Sequence, residues 1–370
     1  MYLENELLLS IPLALYVVLR VRSLFGPKWL KNLWTVVFVL IAAAYPVAET
    51  LSHRGGDGFL AVFVLAGYFA LPLLLYLVMT VLAVDAVIGL LRLTGLVSRP
   101  SVRSPRFKAR RLAVCLAVPV LVVVLGAINH RTLRVHEFTV EVPRRAAAAR
   151  EMTIVFMSDL HFRDLVSDGF LRSLTAKVNA QKPDLILLCG DLLEGDRRGE
   201  KTTRYERALR GMKAKYGVFG VPGNHEGYSR SVGAGFLARS GITLLQDQTV
   251  AIDEALVLAG RRDGRSRNRL PVADLVASAR RDLPVVLLAH RPTGFDDARA
   301  AGVDLQLSGH THHGQLFPVN LITDRQYDLS WGRLDKDGSH LIVTSGVQGW
   351  GPPVRTVGWS EIVVVHLLLR

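Results

Sequence analysis

Long uncharged apolar stretches leave few folds open to a chain, and this one carries several before residue 130. A helix needs about 20 apolar residues to cross the hydrocarbon core of a bilayer. Residues 59–84 are uncharged over that length, with Pro72 as a potential kink, and residues 112–129 are uncharged too. Residues 33–48 are shorter, but Trp34 and Tyr45 suit the two interfaces. Residues 7–19 are the weakest span. They need Arg20 and Arg22 to snorkel, or they form a helix lying on the membrane surface. The expectation is an α-helical transmembrane region over residues 1–130 with about four helices.

Loop charge orients these spans. Arg20, Arg22, Lys28 and Lys31 lie between the first two runs, and Glu49, Arg54 and Asp57 nearly balance between the next two. Before the last run come Arg92, Arg99, Arg103, Arg106, Lys108, Arg110 and Arg111, with no acid among them. Lys and Arg concentrate in cytoplasmic loops, so both basic loops are placed inside. The part after residues 112–129 then faces outward, whether or not the first run spans. This describes an integral protein of a plasma or inner membrane with an extracytoplasmic domain. Residues 131–150, with Arg131, Arg134, Arg144, Arg145 and Arg150, read as a basic linker, either solvated or touching lipid phosphates.

The net charge of +13 is accounted for by this topology. No helix-turn-helix, zinc-finger or RNA-recognition motif is present, so no nucleic-acid partner is expected. Cys115 and Cys189 have no CxxC partner, which excludes a disulfide framework and a zinc finger.

Residues 151–370 mix charged and apolar positions as a soluble domain does. Residues 153–157, 184–189, 218–221, 284–289 and 303–307 read as buried strands. Residues 171–180 and 273–280 between them are amphipathic, and such alternation predicts an α/β sheet with helices on its faces. Polar residues follow the strands: Asp159 and His161, then Gly190-Asp191, then Gly223-Asn224-His225-Glu226, then His290, then Gly309-His310-Thr311-His312-His313-Gly314-Gln315. Oxygen and imidazole donors suit Mn, Fe, Zn or Co. They are too many for one ion. Two ions about 4 Å apart can stabilise both the attacking and the leaving oxygen of a phosphoryl transfer. Gly190, Gly223 and Gly309 allow sharp turns and close backbone approach.

In this order and spacing, Asp-x-His, Gly-Asp, Gly-Asn-His-Glu, a lone His and Gly-His-Thr-His resemble the calcineurin-like metallophosphoesterases, over roughly residues 152–369. The extended Gly-His-Thr-His-x-Gly-Gln and the later Gly346, Pro353, Arg355 and Glu361-Ile362 are similar to membrane-anchored bacterial members. The resemblance implies a two-sheet sandwich flanked by helices. It implies that Asp159, His161 and His312 hold one divalent ion, that Asn224, His290 and His310 hold a second, and that Asp191 bridges them. It further implies hydrolysis of a phosphodiester or phosphoanhydride by a hydroxide shared between the ions, with His225 outside the metal shell stabilising the transition state and protonating the leaving oxygen.

Other roles stay open. Arg355 either binds substrate phosphate or pairs with Glu361. His313, where the bacterial members carry a glycine, contacts substrate, supports the site or is solvated. Glu226 and Gln315 read as structural. Trp331, Trp350 and Trp359 line a lipid groove or, as is commoner for aromatics in such a region, belong to the core. The membrane tether suits a lipid or envelope ester. Two alternatives keep part of this picture: a cytoplasm-facing pyrophosphatase of the UDP-diacylglucosamine type in lipid A synthesis, and a non-catalytic membrane scaffold or sensor.

Overall fold

The computed structural model describes residues 2–52, 59–143, 150–163, 166–194, 200–227, 230–280 and 282–370. Arg54, Asp57, Arg144 and Arg145 lie outside these residues. The chain divides into two compact units, Met1–Ile128 and Asn129–Arg370.

The first unit is helical: α1 (Tyr2–Arg22), α2 (Lys28–Ser52), α3 (Phe59–Leu93), α4 (Arg99–Arg103) and most of α5 (Pro105–Arg131). Three helices among the described residues are long and apolar enough to cross a membrane: Lys28–Ser52, Leu60–Leu93 and Pro105–Arg131. Residues 7–19 lie within α1, which carries Arg20 and Arg22 in its last turn. The interior is small, with Val17, Val21, Trp34, Phe38, Leu77, Val81 and Cys115 packed together. Leu40, Val62, Leu90 and Leu125 point outward, which suits lipid as the surrounding solvent. Asp85 on α3 is the acceptor for Tyr16, Arg20 and Arg111, so a charge that is costly in hydrocarbon is matched by three donors from α1 and α5.

The second unit continues from the end of α5 into β1 (Leu133–Val142), β2 (Arg150–Met157), α6 (Asp168–Ala180), β3 (Leu185–Cys189), α7 (Glu200–Arg210), β4 (Val218–Val221), α8 (Asn224–Gly227), α9 (Arg230–Arg239) and β5 (Thr243–Leu244). There follow β6 (Gln248–Ile252), β7 (Leu256–Gly260), α10 (Val272–Val276), β8 (Val285–Leu288), α11 (Phe295–Ala300), β9 (Leu305–Ser308), α12 (Asn320–Gln326), β10 (Gly332–Lys336), β11 (Ser339–Val343) and β12 (Ser360–Leu369). Two six-stranded sheets result, in the orders β1-β12-β2-β3-β4-β5 and β10-β11-β9-β8-β7-β6.

Strand alternation builds the layers. Ile154, Phe156, Leu185 and Leu187 face the second sheet and meet Leu256, Leu258, Val286 and Leu305 in the central core. Val155, Met157, Ile186 and Leu188 face the other way, onto Leu171, Leu174 and Tyr205 of α6 and α7. On the far side, Val257, Val285 and Leu287 pack against α10 and α11. Strands buried on both faces read as continuous apolar runs, which is why they were visible in the sequence.

One expectation is corrected. Residues 131–150 were expected to form a linker, but Leu133–Val142 is a full strand in parallel register with β12, from Leu133 opposite Ser360 to Val142 opposite Leu369. Arginines flank an alternating pattern here. Phe138, Val140 and Val142 reach the inter-sheet core, while Leu133 and Val135 reach the helix-covered face. The amphipathic stretch at 273–280 is helical only over Val272–Val276.

Candidate metal centre

The polar residues collect beyond the carboxyl ends of parallel strands in both sheets: β2, β3 and β4 in one, β8 and β9 in the other. The loops are laced together by the backbone. Asp159 N–H donates to Gly190 O (3.0 Å), His161 N–H to Asp191 O (2.9 Å), and Gly309 N–H to His290 O (2.9 Å). Glu226, buried, accepts from the N–H groups of Asp191 (2.9 Å), Leu192 (2.6 Å) and Gly223 (2.8 Å), which is the structural role its sequence context suggested. Asp159, His161, Asp191, His310 and His312 all have positive φ, between 40° and 71°. Such conformations cost of order 1–3 kcal/mol each and persist where the surroundings over-determine them. A side chain at Gly223 would collide with the Asp191 carboxylate, and one at Gly309 with Ser158 and Asp159.

Three groups of donor atoms converge, each within 4.8 Å: Asp159, His161 and His312; His161, Asp191 and His225; Asp191, His290 and His310. Asp191 and His161 are each shared between two groups. Asn224 stands at the third, its Oδ1 3.3 Å from His290 Nε2. Every residue singled out as a ligand from the sequence is therefore brought to one place.

The ring nitrogens are prepared for a cation. His161 Nδ1 is held by Glu194 Oε1 at 2.6 Å, and His290 Nδ1 donates to Cys189 O at 2.6 Å. Each arrangement turns Nε2 inward, as outer hydrogen bonds do in metal sites. His161 Nε2 and His312 Nε2 face each other at 3.2 Å, and His290 Nε2 stands 3.2 Å from Asp191 Oδ2. Asp159 Oδ1 is buried without a hydrogen-bond partner, 3.5 Å from His312 Nε2 and 3.7 Å from His161 Nε2. A buried, unbonded carboxylate oxygen among imidazoles fits a divalent cation, and this donor set suits one.

The electrostatics are polarised. Burial disfavours the charge on His161, but Asp159 and Glu194 outweigh it and carry the ring to about 10. His290 likewise overcomes burial through Asp191 and rises to about 9. Burial, reinforced by His290 and Arg291, takes His310 down to about 4. Burial and the neighbouring His161 take His312 to about 3. Asp159 resists burial through His312 and His161 and stays well below the usual carboxylate range.

Sequence reasoning missed Glu194. Its carboxylate joins two imidazoles, His161 Nδ1 at 2.6 Å and His225 Nδ1 at 3.2 Å. The available signal was its position three residues after Asp191, in Gly-Asp-Leu-Leu-Glu. His225 stands slightly outside, with Nε2 3.8 Å from Asp191 Oδ2.

Arg355 and His313, the candidate substrate contacts, are placed differently from the candidate ligands. Arg355 is fully buried and donates to His312 O (3.1 Å) and Gln348 O (2.9 Å). Glu361 is engaged instead by Trp331 Nε1, Thr344 Oγ1 and the Ser345 N–H, each at 2.9 Å. His313 Nδ1 lies 2.7 Å from Ser330 Oγ, and its ring packs near Trp331. Gln315 supports the loop by donating to Pro352 O and Val354 O. Trp350 and Trp359 are exposed rather than core.

Residues 152–314 match the family model described as calcineurin-like phosphoesterase. An uncharacterised metallophosphoesterase of Campylobacter jejuni is 32% identical over 268 residues, covering 70% of this chain and 70% of that protein. One from Helicobacter pylori strain J99 is 33% identical over 226 residues, and the match spans only 60% of its length. A zebrafish protein named transmembrane protein with metallophosphoesterase domain is 28% identical over 277 residues, covering 70% of this chain and 63% of that protein. With three helices long and apolar enough to cross a membrane ahead of the matched residues, the chain belongs to the calcineurin-like metallophosphoesterase family.

Proposed function

We infer that this is a membrane-anchored hydrolase that cleaves a phosphodiester or phosphoanhydride with two divalent cations. The observation that carries the reading is the sharing of Asp191 between donor groups, one extended by Asp159, His161 and His312 through His161, the other completed by His290, His310 and Asn224. When bound, the ions would polarise the phosphoryl oxygens and lower the pKa of water. The protein's part is positional. Asp159, His161 and His312 would hold one ion, Asn224, His290 and His310 the other, and Asp191 would be shared.

His225 supplies the proton. Burial works against its charge, but Glu194 and Asp191 outweigh it and raise its pKa, which favours the protonated ring. Glu194 fixes Nδ1, which leaves Nε2–H for the leaving oxygen as the P–O bond breaks. Arg355 acts through the His312 carbonyl as a positioning residue. Membrane helices ahead of the domain favour a lipid or envelope ester, and the two basic loops favour an extracytoplasmic site.

The test is turnover of bis(p-nitrophenyl) phosphate by the full chain after stripping and reloading with Mn, Zn, Fe or Co, with bound metal counted per chain. Restored turnover at about two ions per chain is expected; turnover indifferent to stripping would refute the reading. A reporter fused after Arg370 and active only outside the cytoplasm tests the side. Its silence in a stably expressed fusion would favour the cytoplasm-facing pyrophosphatase.

A further inference from the structure

Among the described residues, the second unit hides nearly all its large apolar side chains, with one concentrated exception. Phe317 (42% exposed), Val319 (38%), Leu321 (52%) and Ile322 (64%) stand out within six residues on and beside α12, with Trp350 (47%) on a neighbouring loop. This patch is built onto the metal loop. Gly314 is packed against the Val319–Asn320 backbone so closely that a Cβ would clash there, and Tyr327, at the end of α12, sets its ring edge-on to His310 at 6.3 Å. The Phe317 N–H donates to Thr356 Oγ1 at 2.9 Å.

The same loop receives the chain as it leaves the last apolar helix. Asn129, in the final turn of α5, donates through Nδ2 to Arg355 O (3.0 Å) and Gly358 O (3.1 Å), and Ser360 Oγ donates to His130 O (2.8 Å). Arg134 lies over the exposed Trp359 ring at 5.1 Å. Arg134, three residues after α5 ends, and Trp359 thus form a basic and aromatic pair beside the last turn of that helix, the composition that suits a membrane–water interface. Thr356 lies between Arg355 and Gly358 in sequence, so one loop carries both the bond to Phe317 and the bonds to Asn129.

We propose that Phe317, Val319, Leu321, Ile322 and Trp350 form a lip that dips into the bilayer anchoring the chain and passes a membrane-resident amphiphile, phosphate ester first, to the metal centre. The occupant of the apolar face is the acyl region of that bilayer. Exposed apolar surface of this density on a soluble unit marks an interaction site. Its continuity with the end of a membrane helix selects lipid as the partner. The proposal rests on the phosphoesterase reading for its substrate but not for its insertion.

The test uses the full chain in nanodiscs of phosphatidylcholine and phosphatidylglycerol. An environment-sensitive fluorophore on Ile322→Cys should emit as from an apolar medium and be quenched by spin-labelled lipid. The same label on Lys213→Cys, at the opposite end of the strands, should do neither. In parallel, Leu321→Asp with Ile322→Asp should lower kcat/KM for p-nitrophenyl hexadecyl phosphate in the disc by about tenfold or more, while bis(p-nitrophenyl) phosphate turnover stays within about twofold. Water-like emission at position 322 would overturn the lip and assign the patch to a protein partner. An equal loss on both probes would overturn the delivery role. If the unaltered chain turns over neither probe, the phosphoesterase reading fails, and the emission still decides the insertion.

Discussion

The two units of this chain place apolar side chains by opposite rules. In the helical unit they point outward along most of α2, α3 and α5, and the interior is a small cluster around Trp34 and Phe38. In the soluble unit they point inward, alternating residue by residue between the inter-sheet core and the helix-covered faces. The contrast shows that exposure is informative only against the local solvent. Leu125 facing out is ordinary in a helix meant for lipid, whereas Ile322 facing out on a soluble sandwich demands a reason.

The comparison also assigns the chemistry to one unit. Asp191→Asn should therefore have the largest effect, reducing metal-dependent phosphodiester turnover by about a thousandfold or more, because it disturbs both donor groups at once. Asp85→Asn should leave turnover per folded molecule nearly unchanged. Steady-state kinetics on both variants checks this, and comparable losses would erase the division of labour.

Next in size is packing. Ile154→Ala should cost about 2–5 kcal/mol, read as a shift of the denaturant midpoint, because it leaves a cavity between the sheets. Leu125→Ala on the outward face of α5 should cost much less, since lipid fills the space. Equal costs would show that the outward face is packed against protein.

A smaller effect is expected from Glu194→Gln, about 10–100-fold in metal affinity or activity, the usual range for an outer partner of a ligand imidazole. If turnover falls while bound metal stays constant, its action runs through His225. If bound metal falls, it runs through His161.

The smallest effect is a pH dependence. A bound cation requires neutral imidazoles, while His161 and His290 hold protons up to about 10 and about 9. Each ion taken up should thus release about one proton below pH 9, and apparent affinity should weaken about tenfold per pH unit per ion as pH falls. Calorimetric titration in buffers of different ionisation heat measures the release, and its absence at pH 7 would sink the assignment.

The legible parts of the molecule are those where one physical signal dominates. Apolar runs marked the long apolar helices and the doubly buried strands, and motif order picked out the seven residues that the fold gathers around Asp191. β1 was hidden because its flanking arginines drew attention from the alternation of Phe138, Val140 and Val142. The exposure of Trp350 and Trp359 was hidden because aromatic content alone does not say which way a loop turns its side chains. Glu194 and Arg355 act through partners far away in the chain, His225 and the His312 carbonyl, and no local pattern encodes such pairings.

The parallel pairing of β1 with β12 bears on how the domain comes into being during synthesis. β1 emerges directly after the last apolar helix, yet its sheet neighbour among the described residues is β12, which also separates it from β2. Until Ser360–Leu369 has been translated, both β1 and β2 present open edges. A nascent chain must keep these edges from other partners throughout that interval. A premature stop before Ser360 would leave β1 unpaired and one edge of β2 open, a species prone to aggregate rather than a shortened enzyme.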